Sequence, residues 1–383
     1  VRYECVPMRF IKHVYKIHTY AQDGCLFEGK TPVSAFLNSS YDGSFIAGLM
    51  ELRYIQSLPV ERIINYFESH GFTLKKPTAH KLMEKASSLF ENLYKCIRQT
   101  ALSDPYKAAD ETYYKILVPE KNSKGKGVRK GYLWVVVGIN TRMIYLLYDD
   151  GSRSEKVILN ELGGCKGIIQ SDGYSPYRKL ESDAYPHITR IPCLQHIKRK
   201  FIDCGEDDPD AKRIVEMINT LYQNEHKHKI GVDGWTVEQN LVHRKKYAPD
   251  ILGEIKDVLD DIEERGDLLP KSELKEAITY LRNEWNAVVD IFNYGDTYLD
   301  NNIVERMNRY ISLSRKNSLF FGSHKGAERG AILYTIALTC RMNKVNLFEY
   351  LTDIINRTAE WQPNTPLEKY RQLLPDRWEK AND

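Results

Sequence analysis

The sequence predicts an α/β fold: a mixed sheet with helices on its faces, interrupted by an all-helical insertion and preceded by a helical N-terminal region. Three features lead there. Apolar residues recur at helical spacing from Asp42 to Gln99. Past Asp104-Pro105 they give way to β-branched and aromatic runs that alternate with short helical stretches. From Asp207 to Asn286 strands vanish and long amphipathic segments take over.

Residues 1–40 read as an irregular lead with a few short strands. Phe45, Ile46, Leu49, Leu52 and Ile55 define a first helix, Val60, Ile63, Ile64 and Phe67 a second, and Leu82, Ala86, Leu89 and Leu93 a third. Gly71 ends the second and Pro77-Thr78 opens the third. Short helix, turn and longer helix make 41–103 a helix-turn-helix-like DNA-binding region, with His80, Lys81 and Lys85 on its last helix. A plain helical bundle fits the same pattern.

Ala109 to Val118, Tyr132 to Ile139 and Met143 to Tyr148 read as three successive strands. A helix at Ser154 to Leu162 follows, then a strand at Gly167 to Gln170, a helix at Tyr174 to Leu180, a strand at His187 to Ile191 and a helix from Leu194. Three strands in meander followed by alternating helix and strand is the order of an RNase H-like fold. The catalytic domain is therefore expected over 104–206 and 287–360, split by the insertion at 207–286 and followed by a tail at 361–383. Helices are expected in the insertion at Ala211 to Tyr222, Val237 to Tyr247, Leu252 to Glu264 and Ser272 to Glu284, and after it at Ile303 to Ser312, Ala327 to Asn343 and Leu347 to Arg357.

At 383 residues the chain is long enough for two or three domains. With 42% hydrophobic and 28% charged residues it has the balance of a globular protein, and the longest apolar stretch, Tyr132 to Ile139, is too short to span a bilayer. No membrane anchor is expected. The first residues, Val1 to Phe10, lack the features of a secretory leader. Seven scattered cysteines without a Cys-x-x-Cys pair argue against a disulfide framework and for a reducing cytoplasm.

Net charge is only +3. Its distribution says more, because eight basic residues oppose two acidic ones between Asn301 and Lys344, and five oppose one between Pro119 and Gly131. Such local patches suit the gripping of phosphates, although the run from Lys121 to Lys130 could equally be a solvated loop.

Three acidic residues stand out within this frame. Asp110 sits inside the first strand, where an ionised carboxylate is costly unless a cation meets it; an exposed edge position is the bland alternative. Glu111 faces the other way by strand alternation. Asp172 follows the apolar run Gly167 to Gln170, at the carboxyl end of a strand where open α/β sheets carry their chemistry, or in an ordinary Asp-Gly turn. Glu305 follows Asn302 at the spacing of a capping box, yet it is a lone acid beside Arg306 and Arg309. Two aspartates on neighbouring strands and a glutamate on a later helix can hold two divalent ions about 3.5–4 Å apart for in-line displacement at phosphorus. Hard oxygen ligands select magnesium or manganese.

These segments together resemble the transposases of the insertion sequence 66 family, a branch of the DDE group. The resemblance runs from about Pro7 to Trp378. It is carried by Ala109-Asp110-Glu111-Thr112, Gly131-Tyr132-Leu133-Trp134, Gln170-Ser171-Asp172-Gly173-Tyr174, Cys193-Leu194-Gln195-His196 with Arg199-Lys200-Phe201, Asp300-Asn301-Asn302 through Glu305-Arg306, and Arg315-Lys316-Asn317 through Phe320-Phe321-Gly322-Ser323. It implies that Asp110, Asp172 and Glu305 are the catalytic, metal-holding triad for two Mg2+ or Mn2+ ions, and that the block from Asp207 to Asn286 separates the second acid from the third. It also implies that the substrate is double-stranded DNA, the ends of a bacterial mobile element and its target, bound by a homodimer, with small accessory proteins in some relatives. Relatives carry paired cysteines near the start. Here only His18, Tyr20 and Cys25 occupy that region, so no zinc is expected there.

Cys193 and His196 have metal-ligand spacing, with His187 and Cys204 nearby, so a zinc half-site and a structural cysteine beside a histidine near the active centre or DNA both remain open. Arg199 and Lys200 are expected on phosphate. Arg306, Arg309, Arg315 and Lys316 are expected to grip DNA near the cleaved bond, with the pair Phe320-Phe321 in the core. A stand-alone RNase H-like nuclease and a non-catalytic DNA-binding protein derived from a transposase are the alternative functions.

Overall fold

A computed structural model of the chain describes residues 1–4, 8–29, 34–36, 39–121, 125, 127–205, 207–362 and 364–379. Lys124 and Lys126 of the basic run lie outside the described residues.

The lead contains one exposed hairpin, β1 (Thr19–Gln22) and β2 (Cys25–Glu28), turned by Asp23 and Gly24 at φ 51° and 76°, the left-handed pair of a tight hairpin turn. Four helices follow: α1 (Gly43–Tyr54), α2 (Val60–Ser69), α3 (Lys76–Leu89) and α4 (Glu91–Ser103). Asp42 caps α1 by accepting from the Phe45 N–H at 3.0 Å. The single helix expected through Leu82 and Leu93 is two, divided at Phe90, whose backbone leaves helical geometry at φ −92°, ψ 3°. Phe90 is buried at the bend and both helices turn the same side inward, so the apolar spacing carries on across the break.

The sheet holds β3 (Tyr106–Leu117), β4 (Val128–Gly138), β5 (Met143–Leu147), β6 (Gly167–Ser171) and β7 (Ile188–Pro192) in the order β5-β4-β3-β6-β7. The first three pair antiparallel, whereas β3, β6 and β7 are parallel, joined through α5 (Glu155–Leu162), α6 (Ser175–Arg178) and a short 3-10 turn; α7 (Leu194–Ile202) leaves β7. This is the mixed sheet of an RNase H-like fold. β6 pairs with β3 only at Tyr106 to Ala108, so the rest of β3 and β4 runs on as a two-stranded ribbon.

The insertion is α8 (Pro209–Glu225), α9 (Val237–Arg265) and α10 (Glu273–Ile291). Two helices expected within 237–264 are one continuous helix that runs through Pro249. A proline removes one hydrogen bond from a helix interior, but Ala248, Leu252, Ile255 and Leu259 on either side of it are buried in the core shared with α8 and α10 and hold the helix together.

After the insertion come α11 (Asn302–Asn317), α12 (His324–Met342), α13 (Leu347–Thr358) and α14 (Leu367–Arg371). Helix α12 covers the outer edge of β5: Thr335 and Thr339 hydroxyls accept from the Leu146 and Ile144 N–H groups at 2.9 and 3.3 Å, which blunts that edge. Two apolar cores result. One joins α1–α4 to the sheet, α12 and α13; the other joins α7–α10 to the ends of β6 and β7. The helix-turn-helix-like region is thus built into the main core, with the rings of Tyr54 and Tyr334 4.8 Å apart, while His80 and Lys81 remain exposed. Among the described residues no helix is long and apolar enough to cross a membrane.

Candidate active site

The pairing of Tyr106 with Ile168 and of Ala108 with Gln170 sets the level of the two central strands. Continued by two residues, that register brings Asp110 level with Asp172. Both side chains are part-buried. Burial, then the neighbouring carboxylates of Glu111 and Asp172, push the Asp110 carboxyl up to about 7, against the opposing pull of the Glu111 N–H (2.8 Å) and the Asn308 amide (2.6 Å) that donate to it. Glu111 is otherwise engaged: Arg153 donates to it at 3.0 Å and the Tyr177 hydroxyl at 3.5 Å.

Asp172 lies in a tight turn just past β6. Its carboxylate accepts from the Tyr174 N–H at 3.1 Å, and its backbone carbonyl accepts from Arg190 at 2.7 Å. The Gly173 N–H donates to the Tyr280 hydroxyl at 2.8 Å. A Cβ at Gly173 would sit 2.5 Å from that hydroxyl, so the approach of α10 requires glycine here. Arg190 is fully buried and also bonds Ser171, Glu181 and the fully buried Glu284 of α10, which clamps the insertion onto the strand ends.

Glu305 does not close a capping box. The helix starts from Asn301 with no side-chain cap, and the Asn301 amide instead donates to the Ala109 carbonyl at 3.0 Å while its N–H donates to the Cys193 sulfur at 3.2 Å. These bonds lash α11 to β3 and to the start of α7. Glu305 and Asn308, three residues apart, share one face of α11; Asn308 reaches Asp110, and Glu305 reaches His196, whose Nε2 lies 3.7 Å from its Oε1. Four buried side-chain atoms without a hydrogen-bond partner gather here: His196 Nδ1, Asn301 Oδ1, Glu305 Oε1 and Asn308 Oδ1. Cys193, His196 and Glu305 offer ligand atoms within 4.8 Å of one another. His187 and Cys204 take no part in this cluster; the Cys204 thiol donates to the Lys200 carbonyl.

An open cleft of about 340 Å³ runs between Asp172 and His196, lined also by Arg153, Tyr174, Arg199, Lys200 and Tyr280. Arg199 and Lys200 are exposed at it, and Arg306, Arg309 and Lys316 are exposed on α11 outside its lining. Arg315 is drawn onto β3, stacked 3.9 Å from the Tyr113 ring and donating to the Tyr113 carbonyl. Of the phenylalanine pair, Phe321 is buried against Tyr114 at 4.2 Å and bonds Lys115 and Leu117, whereas Phe320 is 47% exposed. Successive residues in extended backbone point to opposite sides, so only one of the two can enter the core.

A second feature leads away from the cleft. Arg153 lies between the rings of Tyr174 and Tyr132, Lys130 between Tyr132 and Tyr113, and Arg315 over Tyr113, an alternation of cations and aromatic rings along the ribbon. Sequence reasoning missed this strip, Asn308 and the Arg190–Glu284 pair. Asn308 had a signal, its position one turn beyond Glu305; the others join residues whose spacing along the chain carries none.

The profile described as "Transposase IS66 family" matches residues 38–329. Three proteins of Sinorhizobium fredii, each titled uncharacterized, are similar along the chain: y4jD is 25% identical over 346 residues, covering 87% of this chain and 65% of its own. For y4hP the values are 24% over 404 residues, 99% and 70%, and for y4qI 26% over 385 residues, 96% and 69%. The chain therefore spans about two thirds of the length of these relatives.

Proposed function

Because the chain belongs to the IS66 family of transposases, we propose that it is a DDE transposase that cleaves DNA at the ends of a bacterial insertion sequence and joins the freed 3′ ends to a target. Asp110, Asp172 and Glu305 are its acidic triad. The observation that carries this reading is the hydrogen bond from Asn308 to Asp110, because it ties the helix bearing Glu305 to the strand bearing Asp110, level with Asp172.

The donor set fits divalent cations. Asp110 holds its proton up to about 7 beside the carboxylates of Glu111 and Asp172, and Glu305 Oε1 is buried without a hydrogen-bond partner. Hard oxygen ligands suit Mg2+ or Mn2+. Asp110, Asp172 and Glu305 would hold two such ions, which would supply activation of the attacking oxygen and stabilisation of the leaving one.

The remaining work falls to the chain's own groups. Asn308 orients the Asp110 carboxylate, and Arg153 neutralises Glu111 so that this second acid does not compete for the site. Arg199 and Lys200, at the rim of the cleft, take phosphates, as do Arg306, Arg309 and Lys316 on α11; His196 lies where DNA enters. Handling two element ends calls for a homodimer on DNA, in the bacterial cytoplasm.

The test is a nicking assay on element-end DNA in Mg2+ or Mn2+. Asp172→Asn should abolish cleavage and leave salt-sensitive duplex binding intact. Undiminished cleavage by that variant removes Asp172 from the mechanism, and duplex binding with no cleavage by the unaltered chain would assign it a non-catalytic role.

A further inference from the structure

We propose that Cys193, His196 and Glu305 form a binding site for zinc, and that zinc bound there withdraws Glu305 from the carboxylate cage and stops DNA cleavage. The second half rests on the function proposed above; the first does not.

The site is assembled by two elements. Cys193 immediately precedes α7 and His196 lies in its first turn, while Glu305 comes from the first turn of α11. The two helix starts are held together by the Leu194 N–H donating to the Leu299 carbonyl at 2.9 Å and by the Asn301 N–H donating to the Cys193 sulfur at 3.2 Å. Burial pushes the Cys193 thiol up to about 12 and the Asn301 N–H on its sulfur opposes that rise, so a metal bound there displaces the thiol proton to solvent.

The chemistry of the ligand set selects the ion. Sulfur, imidazole and carboxylate together suit zinc, whereas magnesium avoids sulfur. His196 Nε2 and Glu305 Oε1 are 3.7 Å apart, too far for a hydrogen bond and near the roughly 3.4 Å that separates two ligands at a tetrahedral angle on zinc. Glu305 Oε1 and His196 Nδ1 are buried without hydrogen-bond partners, so the pair is not already satisfied by the protein. The His196 and Glu305 side chains are 28% and 22% exposed beside the cleft, which leaves an ion a way in.

Cobalt(II), which takes zinc sites and reports thiolate ligation by a charge-transfer band, is the probe. Titrated into the metal-free chain it should produce that band. Cys193→Ser should lose it, His196→Asn should weaken it, and Asp110→Asn should keep it. In the nicking assay with Mg2+, added zinc should halt the unaltered chain, while Cys193→Ser continues to cut. Absence of the band, or its survival in Cys193→Ser, overturns the site. A band with zinc-insensitive nicking overturns the sharing of Glu305. A band in a chain that never nicks supports the zinc site and instead counts against the proposed function.

Discussion

Asp110 on β3 and Asp172 in the turn after β6 stand level with each other, two residues beyond the last paired positions, Ala108 and Gln170. Two like charges brought that close in a part-buried place oppose each other, and the Asp110 carboxyl moves from an ordinary value of 3.8 to about 7 as burial, Glu111 and Asp172 act together.

A pH dependence of stability follows. Between about 4 and 7 the folded chain keeps a proton on Asp110 that the unfolded chain has lost, so stability falls as pH rises through that window. Asp110→Asn cannot ionise and should escape that loss. In EDTA, its urea stability relative to the unaltered chain should be about 1–2 kcal/mol better at pH 8 than at pH 5. Magnesium should narrow the difference. Parallel pH profiles for the two proteins would refute the assignment.

Asn308 is expected to act by positioning. Asn308→Leu removes the donor to Asp110 and should slow nicking roughly 10–100-fold, with duplex affinity unchanged and part of the loss recovered at higher Mn2+. A loss that no metal concentration relieves would point to a damaged fold instead.

The clamp between Arg190 and Glu284 should dominate the attachment of the insertion. Glu284→Ala leaves a fully buried guanidinium without its main partner and should cost about 3–5 kcal/mol in denaturant unfolding. The double variant Arg190→Met with Glu284→Leu should lose less than either single change. A single-variant cost under about 1 kcal/mol would show that the pair does not hold the insertion.

The cation and aromatic strip along the ribbon should bind unpaired DNA. Tyr113→Ala should weaken single-stranded oligonucleotide binding about tenfold, in line with about 1–3 kcal/mol per stacked base, and spare the salt dependence. Lys200→Ala should instead lower the salt slope by about one unit. Fluorescence anisotropy across a salt series separates the two, and equal effects of both variants on the slope would refute the stacking role.

Much of the architecture could be read before any coordinates. The five sheet strands and the helical block follow from period and composition, because side-chain alternation is a local property of the chain, although β3 and β4 begin at Tyr106 and Val128, ahead of the expected Ala109 and Tyr132. Local signals failed where a local rule was overridden. Pro249 marks a break by its chemistry, yet the buried residues flanking it keep α9 whole; Phe90 sits in an unbroken apolar pattern, yet the chain bends there.

By itself the sequence determined which residues could carry chemistry: Asp110 in a strand, Asp172 past a strand end, Glu305 on a helix, Cys193 and His196 a turn apart. The tertiary structure alone decided their company. Register between β3 and β6 aligns the aspartates, the amides of Asn301 and Asn308 draw α11 onto β3, and Glu305 faces His196 instead of its own helix start. Periodicity governs which way a side chain points along its own element, whereas proximity between distant elements is set by how whole surfaces of those elements bury one another, and no short stretch of chain encodes that.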